Sequence, residues 1–186
     1  MDIVKNFELV KKTITNNIKI IAVSKTKSKD KILKIYNIGH RNFGENKIQE
    51  LKEKYNQLPK DIKWHMIGHV QRNKVKYIAP FIELIHSVDS LKLMLEINKQ
   101  GKKNKRTIKC LLQIKIANEE SKFGLFKDEV ENLISLSNNL NYIKIIGLMG
   151  MATYTNNNKI IDREFKEIYN LFKILKISHK QLSILS

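Results

Sequence analysis

The sequence has very few of the residues that crosslink or interrupt a chain. Its 186 residues include one cysteine, two prolines and seven glycines. The single Cys110 excludes an intrachain disulfide, and its place inside the apolar run 108–116 indicates a small buried thiol, which suits a reducing compartment. No apolar stretch approaches the roughly 18 residues that a membrane span requires. We therefore expect a soluble cytoplasmic protein without a membrane segment.

Arginine is also scarce, although the chain is strongly basic. The formal net charge is +17, yet only four of the 35 basic residues are arginine. Arginine makes the bidentate contacts that nucleic-acid readers favour, and the densest basic patch, 99–106, is explained more simply as a solvated loop. The sequence contains neither a recognisable nucleic-acid-binding motif nor a basic strip rich in aromatic residues. A basic nucleic-acid-binding module is therefore the least favoured function.

Short apolar runs alternate with longer segments of helical periodicity along the sequence. This rhythm predicts βαβ units and a parallel sheet, and no change of composition divides residues 1–186 into two domains. The glycine-rich turn that follows the first strand of a dinucleotide-binding sheet is absent, so a (β/α)8 barrel with one strand too few is favoured. The predicted strands are 18–23, 41–44, 64–68, 81–88, 108–116, 143–149 and 182–185, and the predicted helices are 29–38, 47–57, 91–99, 128–140 and 160–176.

Polar side chains follow the predicted strands at their carboxyl ends. Lys25 follows the first strand, Asn46 the second, His69 the third and Asp89 the fourth, and a polar segment at 118–122 follows the fifth. In a parallel barrel the carboxyl ends of all strands meet at the face where active sites are built. We therefore expect these groups to share one pocket.

Lys25 has the most suggestive chemistry of this group. It follows an apolar strand, where we expect partial desolvation, and Lys27 adds repulsion between like charges. Both effects disfavour the ammonium form and favour a neutral amine, the nucleophile that forms a Schiff base with an aldehyde. The alternative is a lysine that simply extends from a strand end into solvent. The residues alone leave both interpretations open.

The other candidates for chemistry have simpler structural explanations. His65 and His69 are four residues apart, but the segment between them lacks the glutamate of a zinc metalloprotease motif, so we predict structural roles and no metal site. His86 lies in an apolar run and is interpreted as a core or rim histidine whose hydrogen bonds are satisfied. Glu119 and Glu120 would suit acid–base catalysis as a pair, but the side chains of adjacent residues diverge, so capping or surface roles are favoured.

Six segments, in order along the chain, resemble the pyridoxal phosphate homeostasis protein family of the YggS/PROSC type. The resemblance implies an alanine-racemase-like barrel, pyridoxal 5'-phosphate (PLP) held as an internal aldimine on Lys25, and no established catalytic turnover. It also implies that Asn46 and Met149 lie near the cofactor. The six segments are AVSKTK at 22–27, FGEN at 43–46, WHMIGHVQRNK at 64–74, HSVDS at 86–90, NEESKFG at 118–124 and GLMGMA at 147–152.

The resemblance ends before the last elements of the family. Its members continue past the seventh strand with an SMGMS-type loop, a helix and an eighth strand that leads to an RxG segment, and the loop and this segment bind the phosphate. Ser186 corresponds to the first serine of that loop, which makes it the fourth candidate contact of the cofactor. We therefore expect an incomplete TIM-type (β/α)8 barrel of about seven strands, truncated at its C-terminal end, with unpaired edges at the gap.

Two functions remain on this fold. The resemblance implies a PLP carrier that buffers the cofactor and passes it to apo PLP-dependent enzymes, and we expect a monomer or a weak homo-oligomer. The alternative is a PLP-dependent racemase or decarboxylase. A racemase needs a second base on the opposite face of the cofactor, and full-length racemases and decarboxylases bring an additional β-domain; the sequence shows neither. The carrier is therefore favoured over the enzyme.

Overall fold

The structure is a computed structural model that describes residues 2–15, 17–117 and 123–186. Its elements alternate between strands and helices, as the apolar rhythm predicts. The strands are β1 (Ala22–Val23), β2 (Asn42–Glu45), β3 (Lys63–Met66), β4 (Leu84–Val88), β5 (Ile108–Ile114), β6 (Ile143–Gly150) and β7 (Ile184–Leu185). The helices are α1 (Ile3–Thr13), α2 (Lys29–Asn37), α3 (Ile48–Gln57), α4 (Leu91–Lys103), α5 (Lys127–Ser137) and α6 (Asn158–Ser178), with a 3-10 helix at Arg72–Tyr77.

The seven strands form one parallel sheet in which each strand pairs with the next in chain order. The sheet curls so far that Ile18 and Lys19, before β1, line the same cavity as Ser183 and Ile184 at β7. Within the described residues, β1 and β7 are the two ends of the sheet and each pairs on one side only. The predicted α/β fold, an incomplete TIM-type barrel of about seven strands, is therefore confirmed.

Helix α1 and the 3-10 helix were not predicted, and the first strand is shorter than predicted. The strand predicted at 18–23 pairs only at Ala22–Val23, since the residues before it make no ladder with β2. Helix α1 was not predicted, although its residues Ile3, Val4 and Phe7 have helical spacing and pack, partly buried, against the core. Its signal is Asp2, whose side chain accepts a hydrogen bond from the N–H of Val4 at 3.0 Å as an N-cap.

The main core lies between the sheet and the helices that cover it. Large apolar residues of the strands, such as Phe43, Trp64 and Ile85, are fully buried there. Cys110 on β5 also belongs to this core, where burial raises the pKa of its thiol, and the prediction of a small buried thiol is confirmed. Within the described part of the chain, no helix combines the length and apolarity needed to cross a bilayer.

The last strand is held very close to β6 by a glycine. Gly147 lies opposite Ile184 in the register of β6 and β7, and a Cβ atom at position 147 would collide with the carbonyl oxygen of Ile184. The pairing continues past β7, because the N–H of Ser186 donates to the carbonyl of Leu148 at 2.9 Å and the N–H of Gly150 donates to the carbonyl of Ser186 at 3.0 Å. Gly147 therefore determines how closely Ser186 approaches the interior.

We predict that Gly147→Ala lowers the free energy of unfolding by about 2 kcal/mol or more, because the added methyl group meets backbone that cannot rotate away. Urea unfolding followed by circular dichroism measures this loss. Lys144→Ala, an exposed position on the same strand, is the matched control and is expected to change stability little. Equal unfolding midpoints for Gly147→Ala and the unmodified protein would show that β7 is not packed against β6 in this way.

Candidate functional site

A cavity of about 490 Å³ at the carboxyl ends of the strands collects the four residues predicted to contact the cofactor. Lys25 follows β1, Asn46 follows β2, Met149 lies on β6 and Ser186 follows β7. The parallel strands bring these positions together because their carboxyl ends share one face. The expected shared pocket therefore contains Lys25, Asn46 and His69, whereas Asp89 lines a separate pocket beside His69. The role of the four residues as ligand contacts stays a prediction.

The walls of this cavity are mostly apolar. Ile21, Val23 and Ile67 line it beside Met149, and the amide side chain of Gln113 adds a polar group that donates to the carbonyl of Phe123 at 3.0 Å. Ligand pockets of this kind usually combine an apolar lining with a few polar groups that fix orientation. The segment 118–122, which includes the predicted Glu119 and Glu120 pair, lies outside the described residues.

Lys25 projects from a tight turn, and its side chain is exposed. The expectation that the strand end desolvates Lys25 is therefore wrong, because β1 ends before it and the turn carries it to the surface of the cavity. The turn closes with a hydrogen bond from the N–H of Lys27 to the carbonyl of Ser24 at 3.0 Å. Thr26 has a φ of 62°, in the left-handed region that costs a residue with a Cβ atom about 1–2 kcal/mol. Other contacts must hold this strained turn in place.

The buried ammonium group of Lys54 on α3 makes one of these contacts. Its Nζ donates to the carbonyl of Ser24 at 2.7 Å, to Oε1 of Glu45 at 2.8 Å and to Oε1 of Glu50 at 2.7 Å. Glu50 in turn accepts from the N–H of Thr26 at 2.6 Å. The backbone is therefore bound on both sides of Lys25, whose side chain remains exposed.

The pKa values of the two carboxyl groups in this network shift in opposite directions. Burial is the main reason why the pKa of Glu45 is raised, and hydrogen bonds from Lys54 and Ser24 oppose the rise only in part. For Glu50, burial also acts to raise the pKa, but the hydrogen bonds from Lys54 and from the N–H of Thr26 outweigh it and the pKa is lowered. Oε1 of Glu45 accepts from Ser24 Oγ at 2.6 Å, whereas its Oε2 has no hydrogen-bond partner among the described residues. Glu45 is therefore the costly member of the network and depends on Lys54.

Sequence reasoning placed Glu45 beside Asn46 at the end of the second strand without giving it a role, and it did not identify Glu50 or Lys54. The sequence feature that could have identified the role of Glu45 is its position at the end of an apolar strand, where a buried carboxylate needs a cation. For Glu50 and Lys54 the feature is their spacing, because residues four apart on a helix lie on the same face and can form an ion pair. Neither signal shows which strand or turn the pair contacts.

His65 and His86 lie inside the barrel and bond to each other. His65 Nδ1 and His86 Nε2 are 2.9 Å apart, His86 Nδ1 lies 2.9 Å from Ser186 Oγ, and His65 Nε2 lies 3.3 Å from Asn42 Oδ1. Burial is the largest cause that lowers the pKa of His65 to about 3 and that of His86 to about 4. The predicted roles of His65 and His86 as hydrogen-bonded structural histidines are confirmed.

His69 lies at the cavity, away from His65. Its Nδ1 is 3.1 Å from Oδ2 of Asp89, and its ring stacks on Phe123 with centroids 3.9 Å apart and planes 16° apart. Among the described residues, no three histidine, cysteine or acidic side chains come together as ligands of a metal ion. The histidines of the segment 65–69 therefore serve two different parts of the site.

The chain is similar to known proteins over most of its length. The alanine racemase N-terminal domain family matches residues 2–186. A pyridoxal phosphate homeostasis protein of Helicobacter pylori is 39% identical over 162 residues, which are 86% of this chain and 73% of that protein. A protein of the same name in Haemophilus influenzae is 34% identical over 176 residues, which are 92% of this chain and 74% of that protein.

A solved structure shows the same fold. PipY of Synechococcus elongatus without PLP superimposes with a TM-score of 0.92 at 27% identity, covering 99% of this chain and 87% of that chain. The same protein with PLP bound superimposes with a TM-score of 0.89 at 26% identity, with the same coverage. The likeness therefore extends through all seven strands.

We predict that Lys54→Met lowers the free energy of unfolding by about 3–5 kcal/mol, because it leaves the buried Glu45 without its cation. Chemical denaturation measures the loss. Lys52→Met, an exposed position on the same helix, is the control and is expected to have little effect. In the double variant Glu45→Gln/Lys54→Met the carboxylate is gone, so we expect part of the stability to return. A double variant that is less stable than Lys54→Met would contradict the proposed dependence of Glu45 on Lys54.

Proposed function

Because this chain belongs to the pyridoxal phosphate homeostasis proteins, within the alanine racemase N-terminal domain family, we propose that it binds PLP through a Schiff base on Lys25. We further propose that it holds and releases the cofactor without turning over a substrate of its own. The observation that carries this proposal is the cavity in which Lys25 meets Asn46, Met149 and Ser186. The PLP-bound structure of PipY, which has the same fold, supports it.

The residues around this cavity suit the parts of PLP. The apolar side chains of Val23, Ile67 and Met149 match the faces of a pyridine ring, and the volume of about 490 Å³ lies in the usual range for small ligands. Asn46 offers an amide group for the polar edge of the ring. Ser186 offers a hydroxyl group to the phosphate.

Lys25 performs the covalent step. Its amine, once neutral, adds to the aldehyde carbon, a carbon–nitrogen double bond forms, and the aldehyde oxygen leaves as water. PLP supplies the electrophilic aldehyde. Since the side chain of Lys25 is exposed, water or an incoming amine can reach the same carbon and reverse the bond. A reversible bond at an exposed lysine suits a protein that delivers PLP, and we propose apo PLP-dependent enzymes as recipients.

The ionisable groups around the cavity favour a carrier over a racemase. Among the described residues that line it, the ionisable side chains other than Lys25 are His69 and His86. Both nitrogens of His86 are engaged in hydrogen bonds inside the barrel, and His69 is bound to Asp89 and stacked on Phe123. His86 therefore has no nitrogen free to act as the base that a racemase needs on the face opposite its lysine, and the ring of His69 is held in place by Asp89 and Phe123.

We predict that borohydride reduction of the PLP complex places a pyridoxyl group on Lys25, because the bonds at Ser24 and Thr26 hold this turn at the cavity. Peptide mapping by mass spectrometry identifies the modified residue. Lys25→Ala is expected to lose the label and the visible absorption of the bound cofactor, whereas the neighbouring control Lys27→Ala retains both. A label on Lys27, with Lys25 unmodified, would contradict the assignment.

We also predict no racemisation or decarboxylation of amino acids above the background of free PLP. Chiral chromatography of each amino acid after incubation with the PLP-loaded protein tests this, with Lys25→Ala as the control. The non-enzyme proposal fails if the loaded protein gives steady turnover that disappears in Lys25→Ala.

A further inference from the structure

A chain of hydrogen bonds crosses the barrel interior and ends at Ser186. It begins at Asn42 on β2, passes through His65 on β3 and His86 on β4, and reaches the hydroxyl group of Ser186 after β7. The links measure 3.3, 2.9 and 2.9 Å, all within hydrogen-bond distance, and each histidine is only 3% exposed. The chain therefore connects Ser186 to groups that water hardly reaches.

Both histidines are neutral at physiological pH. Burial lowers the pKa of His65 to about 3 and that of His86 to about 4, so each ring carries one N–H and one unprotonated nitrogen. Every hydrogen bond needs one donor and one acceptor, so the two rings must carry their protons on the same kind of nitrogen, either both on Nε2 or both on Nδ1. The chain therefore has two arrangements, which run in opposite directions.

In the first arrangement the protons point away from the cofactor cavity. His65 Nε2 donates to Oδ1 of Asn42, His86 Nε2 donates to Nδ1 of His65, and the hydroxyl group of Ser186 donates to Nδ1 of His86. This direction fits the placement of Oδ1 of Asn42 next to His65. Ser186 then donates its single hydroxyl proton to His86 inside the barrel and has none left to donate into the cofactor cavity.

In the second arrangement every bond is reversed. The amide group of Asn42 turns and donates to His65 Nε2, His65 Nδ1 donates to His86, and His86 Nδ1 donates to the oxygen of Ser186. The hydroxyl proton of Ser186 is then free to be donated into the cofactor cavity. His86 and Ser186 are well placed for this exchange because both line the cofactor cavity and the interior cavity of about 420 Å³ behind it.

We propose that His65 and His86 are positioning residues that set the direction in which Ser186 donates its proton. An anionic phosphate oxygen at Ser186 reverses the donor–acceptor direction of every hydrogen bond in this series. The proposal rests on the proposed function in one respect, namely that the phosphate group of PLP lies against Ser186. An anionic oxygen has no proton to donate, so it binds Ser186 well only when the hydroxyl group is the donor. The buried pair thus couples phosphate binding to the tautomers of two histidines.

Long-range 1H–15N correlation spectra of the uniformly labelled protein report these tautomers directly. Without ligand we expect both rings with their proton on Nε2, and with saturating PLP or inorganic phosphate both with their proton on Nδ1. Pyridoxal, which lacks the phosphate group, is the control ligand and is expected to leave the tautomers of both histidines unchanged. Unchanged tautomers when PLP binds would overturn the inference.

The variant Asn42→Asp tests the same coupling by affinity. A carboxylate at position 42 only accepts, so it fixes the first arrangement, and we expect PLP affinity to fall about tenfold while pyridoxal affinity stays the same. In the background of Ser186→Ala we expect Asn42→Asp to have no further effect on PLP, because the coupled hydroxyl group is gone. An equal loss in both backgrounds would indicate simple charge repulsion and would overturn the inference.

These experiments separate the inference from the proposed function. A Schiff base on Lys25 with histidine tautomers that never change would leave the proposed function intact and refute the coupling. Tautomers that reverse with inorganic phosphate, without any Schiff base on Lys25, would support the coupling and contradict the proposed function.

Discussion

The parallel pairing of seven strands in chain order is the constraint on which the rest of this molecule depends. Because all strands point the same way, residues at their carboxyl ends meet at one face, whatever their separation in sequence. Lys25 shares a cavity with Met149 and Ser186 for this reason. The same geometry brings His86 within hydrogen-bond distance of Ser186, although 100 residues of sequence separate them. Gly147 makes this arrangement possible because its lack of a side chain lets β7 pack directly against β6.

Buried polar groups then fix the details of the site. The turn that carries Lys25 is held at the cavity by the bonds from Lys54 to Ser24 and from Thr26 to Glu50. These groups are costly to bury, and each is stable only because it has a partner. The histidines of the interior obey the same rule, since their rings remain neutral and satisfy each other. One network binds the backbone on both sides of Lys25 and the other ends at Ser186, and both residues belong to the proposed cofactor site.

An exposed lysine in a rigid turn suits a protein that holds an aldehyde cofactor reversibly. The backbone on both sides of Lys25 is bound, so its side chain projects from a fixed position. In the proposed complex, its exposure would keep the carbon–nitrogen bond accessible to water and to other amines. An enzyme of this fold would instead be expected to exclude water and to direct a second base at its substrate.

The sequence by itself determined the order of strands and helices, the buried position of Cys110 and the cluster of polar residues at the strand ends, because these follow from local periodicity. The family resemblance strengthened the case for Lys25 and added Asn46, Met149 and Ser186, and the fold brings these four residues to one cavity. Tertiary structure alone decided the exposure of Lys25 and the partners of Lys54 and His86. These depend on which side chains meet across the barrel. Periodicity describes one element at a time and contains no information on contacts between elements far apart in sequence.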